Sequence, residues 1–129
     1  MKRELPAIIK EVGFDFSWDE SKVWVLDFPT ESMPMSELSW HFDIPFWNTP
    51  GGFYDLYPRD VISNPDRHEQ EYQRTMSADT GHPIDVMLWK GRYVILDGLH
   101  RLVKQAIEGK QEVVVRKIPK SAIPRIKKD

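Results

Sequence analysis

Tyr93-Val94-Ile95-Leu96-Asp97-Gly98-Leu99-His100-Arg101-Leu102 places an apolar, β-branched run, a breaker and an amphipathic run in direct succession. This predicts a buried strand that passes into a helix through one tight turn at Gly98. Working outward, Ile84–Trp89 reads as a strand, Lys90-Gly91 as a turn and Arg92–Leu96 as a second strand, which together make a β-hairpin. Leu99, Leu102, Val103, Ala106 and Ile107 recur at helical spacing, so a helix is expected over Leu99–Glu108, stopped by Gly109. Glu112–Ile118 carries the run Val113-Val114-Val115 and predicts a third strand, ended by Pro119 and Pro124. The implied class is α+β: a small mixed sheet in which a hairpin leads into a helix.

Upstream the signals are weaker. Lys22-Val23-Trp24-Val25-Leu26-Asp27-Phe28 is rich in β-branched and aromatic residues and is expected to be a strand ending at Pro29. Pro34–Trp40 predicts a short helical turn with Ser36 near its cap. From about residue 40 to 57 an irregular loop carries seven aromatics: Trp40, Phe42, Phe46, Trp47, Phe53, Tyr54 and Tyr57. Aromatics bury ~150–250 Å² each, so most of these belong to the core, and stacking on bases is the alternative. A helix is expected to follow, capped by Asn64 with Pro65 at its first position and running to about Ala78. Its residues His68, Glu69, Glu71, Tyr72, Gln73 and Arg74 give it a wet face.

The 129 residues amount to a single domain, 1–129, with 40% hydrophobic and 29% charged residues. Such a balance excludes collagen-like and acidic disordered chains. There is no Cys, which removes disulfides, thiolate zinc sites and a cysteine nucleophile. The four His residues (His41, His68, His82, His100) show no metal-ligand spacing, so no zinc site is expected. No apolar run is long enough to cross a membrane, and the opening Met1–Pro6 lacks the apolar run of a leader. A soluble, cytoplasmic protein is expected. No P-loop and no Gly-x-Ser-x-Gly elbow occurs.

The net charge of −2 conceals an asymmetry. Residues 1–64 hold five Lys/Arg against eleven Asp/Glu, whereas residues 90–129 hold eleven against four. The basic segment suits a phosphate-bearing partner, or forms a solvated face with a basic tail over about 119–129.

The strand-to-helix turn is the candidate site. The first helical amides, those of Leu99, His100 and Arg101, lack intrahelical partners, and with the helix dipole behind them they suit an anion. Gly98 allows close approach, Arg101 offers a planar fork, and His100 can donate a hydrogen bond or transfer a proton. Asp97 is placed to hold Mg²⁺ or a ribose hydroxyl. Against this stands a purely architectural role: Asp97 caps the helix, Gly98 only turns the chain, and His100 and Arg101 pair with acids.

Asp97-Gly98-Leu99-His100-Arg101, between a hairpin and a helix followed by Gly109 and a Val-rich strand, resembles the strand–helix turn of the ParB/sulfiredoxin superfamily. The resemblance is strongest over Pro83–Pro119. Val23–Trp40 is similar to the family's opening strand and turn, and the whole resembles single-domain ParB-like proteins with an "LDGLHRLVK" helix. It implies a ParB/sulfiredoxin-like fold that hosts nucleotide binding or hydrolysis, DNA partition, nuclease action, phosphoryl transfer or sulfinic-acid repair. Leu99 stands where sulfiredoxin activity needs Cys, which removes that activity. About ten residues follow the last strand, so full partition function is not expected.

The expectation is a nucleotide- or phosphate-binding ParB-like domain holding phosphate at Gly98, Leu99, His100 and Arg101, with hydrolysis or phosphoryl transfer as its chemistry and Mg²⁺ accompanying a nucleotide. Asp97, His100 and Glu37 are the candidate catalytic groups; Glu37 follows the first strand, where kinase-like superfamily members supply a base. The alternative is a nucleic-acid-binding or nuclease module gripping backbone phosphate with the same turn, extended by Lys117, Lys120, Arg125, Lys127 and Lys128.

Overall fold

A computed structural model describes residues 5–128. Met1–Glu4, most of the opening expected to lack a leader, and Asp129, the end of the basic segment, lie outside the described residues. The elements run α1 (Ala7–Val12), α2 (Glu20–Trp24), β1 (Thr30–Pro34), α3 (Pro58–Ser63), α4 (Glu69–Met76), β2 (Ile84–Trp89), β3 (Arg92–Asp97), α5 (Leu99–Ile107), β4 (Glu112–Lys117) and α6 (Ile123–Ile126), with short 3₁₀ turns between them. The four strands form one mixed sheet in the order β1-β4-β2-β3. The pairs β1/β4 and β2/β3 are antiparallel, and β2/β4 is parallel. No described helix is long and apolar enough to cross a membrane.

The period-2 alternation of the strands divides the core between two faces of the sheet. Ile84, Val86, Val113 and Val115 point to one face and pack with Leu102 of α5. Met87 and Leu96 point to the other and pack with Val23 and Leu26 around α2 and with Ala122 and Ile126 around α6. Beyond α5, Val103 joins Trp47, Leu56 and Val61, which seats the aromatic loop and α3. Lys90 and Gly91, with φ of 51° and 86°, supply the two left-handed residues of the hairpin turn.

Three expectations are corrected. Lys22–Phe28 is not a strand, because Asp19 accepts a hydrogen bond from the Ser21 amide at 3.1 Å and starts helix α2. Within Lys22–Phe28 only Val23, in α2, and Leu26, beyond it, are buried, while Trp24 and Val25 are 59% and 80% exposed. The Asn64 helix is instead a 3₁₀ turn over Pro65–His68 that becomes α-helical only at Glu69 and ends at Met76, and the Asn64 side chain makes no cap bond. Residues 119–128 are no loose tail: a 3₁₀ turn and α6 bury Ala122 and Ile126, and the Lys128 amide donates to the Ser17 carbonyl. The short turn after β1 is present as a 3₁₀ turn over Met35–Glu37, with no cap bond from any side chain.

Candidate functional site

β3 is an edge strand, and its outer groups are met by side chains from the N-terminal half. His41 Nε2 accepts the Ile95 amide at 3.1 Å, and Trp18 Nε1 donates to the Leu96 carbonyl at 2.9 Å. This edge borders a cavity of about 1260 Å³ lined by Val94–Arg101, by the aromatic run Phe14, Phe16 and Trp18, and by Phe46, Trp47 and Tyr54 from the aromatic loop. The predicted turn and the loop that follows β1 therefore meet in one place.

At the turn, Gly98 has φ of +113°, a conformation costly for any side chain. A Cβ there would also lie 3.3 Å from Ile84 Cγ1 and 3.4 Å from Arg101 Cζ. The first intrahelical bond of α5 joins the Leu102 amide to the Gly98 carbonyl at 3.0 Å. The amides of Leu99, His100 and Arg101 precede it, and no side chain caps them. Asp97 is thus not the cap of this helix.

Asp97 and Arg101 hold each other. Arg101 Nη2 donates to Asp97 Oδ2 at 2.7 Å and Nη1 to the Pro83 carbonyl at 2.5 Å. Trp24 Nε1 reaches the same Asp97 oxygen at 2.7 Å. The Arg101 side chain, 17% exposed, ties the turn to Asp97 and to the Pro83 carbonyl. Glu20 lies beside Asp97, and burial together with that carboxylate raises its pKa above the usual range.

His100 is engaged by residues from two other elements. Its Nε2 lies 2.6 Å from Glu71 Oε2 on α4, and the Trp47 ring stacks on the imidazole at 4.5 Å between centroids and 14° between planes. Glu71 is 8% exposed, so it does not belong to the wet face expected of its helix. Arg74, three residues on, also approaches Glu71 at 3.5 Å, but His100, the partner at the cavity, stands 29 residues away.

Two further groups behind the site went unread in the sequence. Asp85 and Arg116 form a buried pair at 2.7 Å, and Arg116 also donates to the Val23 carbonyl at 2.8 Å and to the Leu26 carbonyl. Burial pushes the Asp85 carboxyl up against the pull of Arg116. Arg116 breaks the alternation of β4, in which Val113 and Val115 are buried and Glu112 and Val114 exposed, so the strand's own pattern gave no signal of its burial.

The remaining candidates are dispersed. Glu37 is exposed in the 3₁₀ turn after β1 and does not line the cavity. Lys117 pairs with Glu31 at 2.8 Å and lies over the Tyr93 ring, and Lys120 lies over Trp89. Arg125 and Lys127 are exposed at and after α6, and Lys128, alone of the five basic candidates, lines the cavity. No group of three or more metal-ligating side chains occurs among the described residues. No family model, curated protein or solved structure matches the chain.

Proposed function

We propose that the chain binds a nucleotide or similar small phosphorylated ligand, with phosphate at the start of α5 and the flat ring among the cavity's aromatics. The observation that carries this reading is the shared cavity: Leu99, His100 and Arg101, at the uncapped start of α5, line the same space as Phe14, Phe16, Trp18, Phe46, Trp47 and Tyr54. Amides at a helix N-terminus favour an anion, and aromatic walls favour a planar group. The cavity exceeds the ~300–1,000 Å³ usual for small-ligand sites, which leaves room for a nucleotide and water. The hairpin, the left-handed Gly98 and α5 follow the order of the ParB/sulfiredoxin turn, and the reading takes that relationship as its premise. Phosphoryl hydrolysis or transfer is the chemistry such a site supports; Asp97, whose Oδ2 is taken by Arg101 and Trp24, is not free to hold the Mg²⁺ that would accompany a nucleotide.

Titrating ¹⁵N-labelled protein with ATP, CTP and GTP, with and without Mg²⁺, tests this directly. The largest amide shifts are expected at Leu99, His100 and Arg101, with a thermal stabilisation of about 2.7 kcal/mol at roughly 100 times the Kd. Shifts confined to Arg125 and Lys127, seen with an oligonucleotide and falling steeply with salt, would replace it with the nucleic-acid reading.

A further inference from the structure

Two histidines of this chain are fixed by their surroundings, and they differ in what remains free. His41 uses both ring nitrogens, Nδ1 toward the Leu38 carbonyl at 2.7 Å and Nε2 for the Ile95 amide, so it has none left for a ligand. His100 uses one. Its Nε2 faces the buried Glu71 carboxylate, and among the described residues Nδ1 has no protein partner. Trp47 sets the plane of the imidazole and Glu71 sets its rotation within that plane, so the direction of Nδ1 is determined. The ring is 38% exposed and lines the cavity beside Gly98 and Leu99.

We propose that His100 is a general base whose positioning residue is Glu71, and that it acts on a water attacking the terminal phosphorus of a nucleoside triphosphate held at α5. This rests on the phosphate reading above. A carboxylate that accepts the Nε2 proton fixes the tautomer with a lone pair on Nδ1 and stabilises the imidazolium formed when Nδ1 is protonated. As the water oxygen bonds to phosphorus, its proton passes to Nδ1. The bridging P–O bond breaks, and its electron pair leaves with the nucleoside diphosphate. Nδ1 then returns the proton to that diphosphate, so triphosphate and water yield diphosphate and orthophosphate. The aromatic walls and Arg101 take no part in the proton transfer.

The test uses the full chain, ATP, CTP and GTP with Mg²⁺, ³¹P detection of orthophosphate, and the amide titration as a separate measure of binding. In the wild type, long-range ¹H–¹⁵N spectra are expected to show His100 as the Nε2–H tautomer. Glu71→Leu is expected to lower kcat about 100-fold, the lower end of general acid–base contributions, with KM changed less than about threefold. Glu71→Gln, whose amide oxygen still accepts the Nε2 proton, is expected to retain the tautomer and part of kcat, and it serves if Glu71→Leu fails to fold. A wild type that binds nucleotide and releases no phosphate, variants that turn over at the wild-type rate, or an Nδ1–H tautomer would each overturn the dyad and leave the binding reading standing. Absence of nucleotide-induced shifts at Leu99–Arg101 would overturn the binding reading, and the dyad with it.

Discussion

The segment from β2 to β4 and the segment from Leu5 to Ser63 are built on different principles. The first is periodic: alternating strands, a two-residue turn and an amphipathic helix bury Ile84, Val86, Leu102, Val113 and Val115 against one another. The second contains short helices and one five-residue strand, and much of it is fastened by single hydrogen bonds to distant residues. Trp89 Nε1 donates to the Gly13 carbonyl at 3.1 Å, Lys90 Nζ to the Glu11 carbonyl at 2.8 Å, and Arg116 to two carbonyls around α2. The cavity lies between these segments. Its turn comes from the periodic one, and much of its aromatic wall comes from the fastened one. A rigid frame thus presents the amides, while its partner wall depends on a few side chains.

The strongest of those fasteners should break the second segment outright. Arg116→Ala would leave the Asp85 carboxyl unpaired in the core and would free the Val23 and Leu26 carbonyls. Removing one partner of a buried pair costs about 3–5 kcal/mol, a large share of an ordinary total of ~5–15 kcal/mol. Urea unfolding of the variant is expected to show a midpoint lowered to match. A loss below about 1 kcal/mol would mean that α2 is held by apolar packing alone.

A second fastener can be weakened without mutation. Burial pushes His41 down to about 4 from an ordinary 6.5, outweighing its bond to the Leu38 carbonyl, and Arg92 adds to the depression. The folded state keeps the ring neutral, so the unfolded chain binds the proton more readily. The His41 contribution is therefore complete above pH 6.5 and is lost as the pH falls toward 4. Protonation would also remove the acceptor of the Ile95 amide. The loss is expected to be about 3 kcal/mol over that window, since each tenfold difference in proton affinity between the folded and unfolded chain is worth ~1.4 kcal/mol. Urea midpoints against pH for wild type and His41→Gln measure it: the wild type should fall more steeply, and parallel curves would show that His41 does not carry the dependence.

The same contrast explains what one sequence could disclose. The hairpin, α5, Gly109 and β4 were legible because each is specified by residues a few positions apart, through period, turn type and cap. The turn at Asp97–Arg101 was legible for the same reason. Lys22–Phe28 misled because β-branched content suggested a strand, while the capping Asp19 started a helix that takes in residues 22–24 and leaves the rest of the segment irregular. Glu71, Asp85 and Arg116 were unreadable in role because a buried charge is meaningful only beside its partner, and their partners lie in other elements. The expected cap at Asn64 lost to Pro65, which restricts the residue before it and begins a 3₁₀ turn. Glu37 was read from its place after a strand, and place in the chain did not put it at the cavity.

The smallest expected effect sharpens the comparison most. Trp18 stacks edge-on against Phe14 at 5.1 Å between centroids, and its Nε1 bond to the Leu96 carbonyl ties the aromatic wall to the edge of β3. Trp18→Phe keeps most of the apolar contact and removes only the donor. Leu96 is among the residues lining the cavity, where water can replace the lost partner, so the global cost should be about 1 kcal/mol. The informative quantity is where that loss appears. If the wall is a locally fastened unit, amide exchange should quicken over residues 13–18 while β2, β3 and α5 keep their protection, since such segments open without global unfolding. Nucleotide affinity should then weaken although the amides of Leu99–Arg101 are untouched, because part of the binding free energy would go to ordering the wall. If exchange instead quickens equally throughout, the two segments unfold as one, and the wall is as rigid as the frame it leans on.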